Sequence, residues 1–482
     1  MSSAAPSAAY LLGIDIGTGS VKTELVRDDG TRWARSSDPY RLHSPHPGWA
    51  EQDPQDWWDA VTTAVGDVWR RAGTPAGAHV TVGLTGQMHT TVLLDASREP
   101  VRPAVLWCDT RAEDQARAIA EAVPDVADRT GNAPLAAFTL PHLLWLREHD
   151  PERFARARTV AMPKDVVRER LTGTLETDWT DASGTGALDT RTRTWSDEVL
   201  RAVALDRAVL PRVRAPHELV GTAPDLLPGA ARVDVAVGVG DQFAEALSVG
   251  LVDPGALAVV LGTSGVVLGA QDAPSVGAFC HAPDDRWLRL ESMHAAGMSL
   301  TWFRDSLAAD ASIDRLLAEA AAAPAGSAGL LYLPFLVGDR SSHGASARAA
   351  FVGARPDHTR GHFVRAVLEG VAMELKHLAD ERMRVGDVTT LWLKGGGARS
   401  PLWAQIVADV FGVPVRVTSR SAAAGAAAVA GVAAGWWGYH DIPGDTDGRV
   451  HEPHDDARRR YDDVRGDYQS TVGHLHGDPA RR

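Results

Sequence analysis

The stretch LLGIDIGTGSVKTELV, residues 11–26, decides how the rest of the chain is read. Its two ends are apolar, Leu11 to Ile14 and Val21 to Val26, and they flank the small polar run Asp15-Ile16-Gly17-Thr18-Gly19-Ser20. That pattern predicts a strand, a tight turn and a second strand. It returns in Ala256 to Gly269, where Leu261-Gly262-Thr263-Ser264-Gly265 lies between apolar runs. The 482 residues exceed one compact core, so two or more lobes are expected, and the two Gly-Thr hairpins fall about one domain length apart.

Working outward, apolar runs predict strands at Val80 to Leu84, Thr91 to Leu94 and Val233 to Val239. Helical periodicity marks Trp57 to Arg71, Arg111 to Ala122 and Pro141 to Glu148. Asp253-Pro254-Gly255 reads as a lobe junction, followed by a helix from Gly361 to His377, a strand from Thr389 to Leu393 and a helix from Pro401 to Phe411. The class is mixed α/β, with an N-terminal lobe at 10–250, a C-terminal lobe at 251–440 and a peripheral tail at 441–482 rich in Asp, Arg, His and Gly.

Composition narrows the partners. Hydrophobic residues make up 44% and charged residues 23%, the profile of an ordinary globular protein. A net charge of -13 with no dense basic run argues against nucleic acid and against an anionic membrane. Cys108 and Cys280 have neither C-x-x-C nor metal-ligand spacing, and the N-terminal stretch lacks a basic region, so a reducing, cytoplasmic setting is expected. The uncharged runs Pro254 to Gln271 and Ser421 to His440 are too rich in Gly and Ala to insert in a bilayer and read as buried elements.

Four segments could carry chemistry. The first turn sets the Asp15 carboxylate at a strand end beside Gly17, Thr18, Gly19 and Ser20, whose backbone N–H groups and hydroxyls suit phosphate, with Lys22 just beyond. An Asp there can hold a hydrated Mg²⁺ against phosphates, although alone the turn equally suits a plain hairpin. Asp241 follows the strand ending at Gly240 and opens a helix, where it serves as an N-cap or as a base accepting a proton from a substrate hydroxyl; the helix N-terminus is expected to keep it ionised. Gln87, Met88 and His89 follow a strand with groups suited to a polyol. Lys394-Gly395-Gly396-Gly397-Ala398-Arg399-Ser400 forms a bare backbone shelf before a helix, suited to a nucleoside or to no ligand at all. No lysine follows a glycine, which excludes a Walker A loop. Trp57, Trp58, Trp302 and Trp403 are assigned to packing and not to sugar stacking.

Taken in order, LLGIDIGTGSVKTELV, PGWAEQDPQDWW, GLTGQMHTTVLLD, PAVLWCDTR, MPKDVVRERLTG, TDASGT, GVGDQFAEALSVG, LGTSGVV, YLPFLVGDR, RAVLEGVAMEL and LKGGGARSPLWAQIVADVFG resemble the FGGY carbohydrate kinases from Leu11 to Gly435. The resemblance implies two ribonuclease H-like lobes of the actin, hexokinase and Hsp70 type, with the active site in the cleft between them. It makes Asp241 the catalytic base and Asp15 the metal-linked acid acting through water. Gln87, Met88, His89, Asp241 and Gln242 fall on the sugar side, Gly262 and Thr263 in the second phosphate loop, and Gly396, Gly397 and Ala398 at the adenosine. It further implies ATP, Mg²⁺ and phosphorylation of a sugar hydroxyl, with D-xylulose to D-xylulose 5-phosphate expected and another ketose, a polyol or a sugar acid as alternatives. A homodimer stays open; retention of both Asp15 and Asp241 argues against a catalytically silent sensor, and a filament subunit is set apart by sedimentation with ATP, where no polymer is expected. Three departures from the family pattern are Gln242 where Asn is common, the segment Gly338-Asp339-Arg340-Ser341-Ser342-His343, and the missing acidic or proline-bearing run at Ser421 to Ala424.

Overall fold

Ala9–Ile16 (β1) is apolar on both faces, and every residue from Tyr10 to Ile16 is buried, as befits a strand covered by helices on two sides. The computed structural model in which this is seen describes residues 9–27, 31–338, 344, 346–383, 388–445 and 448–477, so most of the Gly338 to His343 departure lies outside the described residues. Two compact units are present. The first comprises the chain through Val252 with Gln271–Leu288 and Arg420–Gly444; the second comprises Asp253–Ala270, Arg289–Ser419 and Asp445 onward.

In the first unit β1 pairs antiparallel with Ser20–Arg27 (β2), which pairs antiparallel with Arg32–Pro39 (β3). On its other side β1 runs parallel to His79–Gly86 (β4), and the sheet continues past β4 through Arg232–Ala236 to Leu219–Thr222. One face is covered by the helix Pro54–Arg71, which buries Trp57, Val61, Val65 and Val68 at helical spacing. The other face takes the helix Ala422–Ala433, and Gly13 and Gly83 let it approach: a Cβ on either would lie 1.8 or 1.9 Å from the carbonyl oxygens of Ala423 and Ala426. The first part of the uncharged run at Ser421 to His440 is therefore a helix, Ala422–Ala433, laid directly on a sheet, whereas the stretch from Ala434 to His440 is largely half-buried or exposed. No helix among the described residues is long and apolar enough to cross a membrane.

The expected strand Val233 to Val239 is broken in two, Arg232–Ala236 and Val239–Gly240. Gly238 takes a φ of 95°, and a Cβ there would meet the Leu84 carbonyl at 2.4 Å, so the chain must step before it rejoins β4.

The second unit has the same hairpin at its centre. Ala256–Leu261 (β5) pairs antiparallel with Gly265–Gln271 (β6) and parallel with Thr390–Lys394 (β7), which is followed by Val415–Val417 (β8) and Val450–His451 (β9). The helix Arg360–His377 is buried without interruption from Val364 to Leu375.

The segment 441–482 is not peripheral. Its helix Asp455–His476 buries Tyr461, Val464, Tyr468 and Val472 in the core of the second unit. The Tyr461 hydroxyl donates to Glu369 (2.8 Å) and accepts from Arg365 (3.1 Å), while the Tyr468 hydroxyl donates to Glu374 (2.9 Å). Nor is the C-terminal lobe the continuous stretch 251–440, because Arg420–Gly444 packs with the first unit. The chain first passes from one unit to the other between Val252 and Asp253.

Removing one hydroxyl from the tail network leaves buried charged partners short of a bond, a loss of about 1–3 kcal/mol. Tyr461→Phe is expected to lower the urea midpoint of the second unit accordingly, with catalysis retained below the transition; an unchanged midpoint would make the tail a bystander.

Candidate active site

Strand register assembles the candidate site of the first unit. Ile16 of β1 pairs with Gly86 of β4, and Gly86 pairs with Gly240, so three parallel segments stop at one level. Asp15, Gln87 and Asp241 sit at those three ends, far apart in sequence. Asp15 is buried and lies opposite Lys22 across the hairpin.

The sugar-side residues have different roles. Met88 is buried, and Gly184 and Gly240 make room for it: a Cβ on Gly240 would come within 2.8 Å of the Met88 Cγ, and one on Gly184 within 2.8 Å of its Cε and of the His89 ring. His89 takes a φ of 64°, donates from Nδ1 to the Gly184 carbonyl (2.5 Å) and stacks on Phe138 with centroids 4.7 Å apart. Its Nε2 is then the acceptor nitrogen of the neutral ring. Gln87, by contrast, is fully buried, and its amide donates to Gln52 Oε1 (2.9 Å), so it braces the site from behind. Gln242 is half-buried; its backbone N–H donates to the Asp241 carboxyl, and its side-chain amide makes no hydrogen bond among the described residues.

Asp241 departs from expectation in two ways. The cap of its helix is Gly240, with Asp241 the first helical residue. The helix N-terminus does not keep it ionised either: burial, then Asp15, Asp181 and Glu245, push its carboxyl up to about 8. Its Oδ1 is buried without a hydrogen-bond partner.

Beneath lies a charged cluster that sequence reading did not single out, although it quoted both motifs that build it. Lys164, fully buried, sets its ammonium 2.7 Å from Asp165, 3.0 Å from Asp178 and 2.9 Å from Asp181. Burial works against that charge, but the three carboxylates outweigh it and hold the amine above its ordinary value. Arg168 pairs with Asp165 (3.0 Å) and donates to the Val237 carbonyl (2.5 Å), and the Thr180 hydroxyl accepts from the Gly240 N–H (2.9 Å). The segment carrying Asp241 thus rests on this cluster. Burial drives the Asp181 carboxyl up to about 7 against the pull of Lys164, with Asp178 and Asp165 adding to the rise. A lysine one residue from an aspartate, in a chain with four lysines, was the available signal.

The second unit has a cleft of its own. Gly262 and Thr263, at the tip of the β5–β6 turn, and Gly396 and Gly397, after β7, line one cleft of about 760 Å³ with Leu300, Thr301, Ile313 and Arg399. The Gly262 carbonyl accepts from the Gly297 N–H (2.8 Å), which locks the turn to the helix Gly297–Leu307. Ala398 does not line this cleft; its methyl is buried in the core.

Each unit is thus built on a sheet with a Gly-Thr hairpin at its centre, the plan of a duplicated α/β fold. Residues 10–248 match the N-terminal domain of the FGGY family of carbohydrate kinases and residues 257–434 match its C-terminal domain, and the chain belongs to that family. It is therefore a carbohydrate kinase, and membership implies ATP as donor. The chain is 34% identical over 446 residues to the xylulose kinase of Bacillus subtilis (strain 168), covering 89% of each. Among solved structures, a xyloylose kinase from Brucella ovis has a TM-score of 0.90 at 33% identity, with 97% of this chain and 99% of that one covered. Gluconate kinase from Lactobacillus acidophilus has a TM-score of 0.89 at 27% identity over 98% and 100%.

The raised proton affinity of Asp241 carries a stability cost with a definite sign. An unfolded Asp loses its proton near pH ~3.9, whereas the folded one keeps it to about 8. Between those values the folded state binds the extra proton, so this group's contribution falls as pH rises and levels off above the folded value. Asp241→Asn is expected to raise the Tm, by an increment that grows from pH 4 to pH 8. A pH-independent increment in parallel melts would contradict this.

Proposed function

We propose that the chain transfers the γ-phosphoryl group of ATP to a hydroxyl of D-xylulose, giving D-xylulose 5-phosphate and ADP. The observation that carries this reading is the buried, unpartnered Oδ1 of Asp241 on a segment packed against Met88, itself followed by His89. A base is most effective when its pKa lies near the working pH, and a carboxyl pushed up to about 8 has the proton affinity for the task. Asp241 takes the hydroxyl proton as the sugar oxygen attacks the γ-phosphorus. The new O–P bond forms as the bond to the bridging oxygen breaks, ADP leaves with the electron pair, and the proton on Asp241 passes to solvent. Met88 and His89, both fixed by packing, present an apolar edge and an acceptor to the sugar. The open N–H groups of Thr18 and Gly19 in the first turn offset charge on the phosphates.

Mg²⁺ belongs to the same reading. Its fit rests on Asp15, a buried carboxylate whose charge contributes to the raised proton affinity of Asp241, so a cation there would relieve both. The described residues contain no group of three His, Cys, Asp or Glu able to cage a metal, and Mg²⁺ bound through one carboxylate, water and phosphate needs none. When bound, the ion screens phosphate charge. The two cysteines are free thiols, in keeping with a reducing cytoplasm as the working place.

Asp241→Asn retains the shape of the side chain without its basicity, so turnover with saturating sugar should fall by about 10² or more while the sugar still binds. A coupled ADP-release assay across ketoses, polyols and aldonates measures this and ranks substrates; a variant with near wild-type turnover would remove Asp241 from the mechanism. A gluconate-first ranking would replace xylulose with a sugar acid.

Gln242 stands where the family often has Asn, and its amide, without an internal partner, reaches one methylene farther. Gln242→Asn is expected to shift the ratio of kcat/KM for D-xylulose over glycerol upward by about 2- to 10-fold, the worth of one hydrogen bond. A ratio moving toward glycerol would reverse the assignment of this side chain.

A further inference from the structure

A loop that receives phosphate through its N–H groups has a difficulty of its own making. Each peptide unit carries a carbonyl oxygen as well, and a carbonyl turned toward phosphate repels it. In the turn Gly17 to Gly19 every carbonyl is already engaged. The Tyr40 hydroxyl donates to the Gly17 carbonyl, Gln52 Nε2 donates to the Thr18 carbonyl (2.7 Å), and the Tyr40 N–H donates to the Gly19 carbonyl (3.2 Å). The N–H groups of Thr18 and Gly19 make no hydrogen bond among the described residues, and a Cβ built on Gly19 would meet nothing within 4 Å. The acceptors are tied back and, apart from the Gly17 N–H, which donates to the Ser20 carbonyl (3.1 Å), the donors are left open.

The two side chains that achieve this are themselves held firmly. Tyr40 directly follows β3, and burial, then Asp15, raise its hydroxyl well above the ordinary phenol value, so it remains a donor across the working range. Gln52 is fully buried, and its Oε1 accepts from Trp57 Nε1 (3.0 Å) and from Gln87 Nε2 (2.9 Å). Those two acceptances fix which end of the amide faces Thr18: the oxygen is committed to indole and amide donors, so the NH₂ must point at the loop. The Thr18 hydroxyl is oriented as well, since it accepts from Trp107 Nε1 (2.9 Å) and its own proton must point elsewhere.

We propose that Tyr40 and Gln52 are positioning residues for phosphoryl transfer, which hold the carbonyls of Gly17 and Thr18 away from the nucleotide so that the loop meets phosphate with N–H groups alone. The proposal rests on the reading of Asp15 to Ser20 as a phosphate loop. It assigns work to PGWAEQDP that its sequence does not announce, since Gln52 is fully buried and acts through the Thr18 carbonyl. Through Gln87 the same residue ties the phosphate loop to the sugar-side turn.

The test uses the full-length enzyme with Tyr40→Phe, Gln52→Met and Asp15→Ala, each checked by circular dichroism and melting. For Tyr40→Phe the KM for ATP should rise and kcat should fall, each by about 2- to 10-fold, with the KM for sugar within about twofold. Affinity for a non-hydrolysable ATP analogue, measured by calorimetry, should weaken by the same factor. Gln52→Met should do the same and also raise the KM for sugar, because Gln87 loses its acceptor. A folded Tyr40→Phe with unchanged ATP constants and analogue affinity, beside an Asp15→Ala that has lost turnover and normal Mg²⁺ dependence, overturns the positioning role alone. If Asp15→Ala is also unchanged, the phosphate-loop reading itself fails. A lower melting temperature with no kinetic split would make both residues structural props.

Discussion

Parallel pairing that stops at a common rung is the constraint from which the first unit's candidate site follows. Ile16, Gly86 and Gly240 lie side by side at the ends of their strands, so whatever follows each is delivered to the same place. A slip of one residue would turn the side chains beyond it to the opposite face. The break at Val237-Gly238 keeps the third segment in step: it removes one stretch of ladder so that Gly240 can rejoin at the right height. Backbone geometry therefore fixes the relation of Asp15 to Asp241, and side chains only refine it.

Refinement here is expensive. Burying an ammonium and three carboxylates costs several kcal/mol per charge unless partners offset it. Lys164 is the main offset, the one cation that touches Asp165, Asp178 and Asp181 together, while Arg168 adds a second cation on Asp165. The return on that cost is placement. Thr180, held in the short helix that Asp178 caps, fixes the Gly240 N–H one residue before Asp241. A softer apolar support of equal volume could stabilise the fold as well, but it would not aim a backbone N–H.

What the sequence disclosed and what it hid divide along the reach of the forces. The hairpins at Asp15 and Gly262 were legible because turn chemistry acts between neighbours, and the helix Pro401–Phe411 because Pro and Gly mark its ends. The charge state of Asp241 was misjudged because the local rule for helix N-termini was outweighed by burial and by Asp15, Asp181 and Glu245, of which only Glu245 is near it in sequence. Gln87 was assigned to the sugar because its motif is polar, yet the partner that claims its amide, Gln52, belongs to another segment. Ala398 was swept in with its glycines, though its methyl faces inward. The tail was dismissed on composition because its charges mask a stripe of Tyr461, Val464, Tyr468 and Val472 at intervals of three and four.

The interleaving of the two units bears on how the chain can be made. The helix Ala422–Ala433, which covers β1 and β4 and packs on the helix of Asp241, emerges from the ribosome only after most of the second sheet has been synthesised. Until then the glycine-lined face of the first sheet, with Gly13 and Gly83, has no cover. The N-terminal lobe consequently cannot mature as an independent nascent domain, contrary to the usual habit of domains folding one by one as they appear. A gene cut at Asp253 would yield two fragments with exposed cores, which makes this enzyme a poor subject for lobe swapping and a natural client for chaperones during translation.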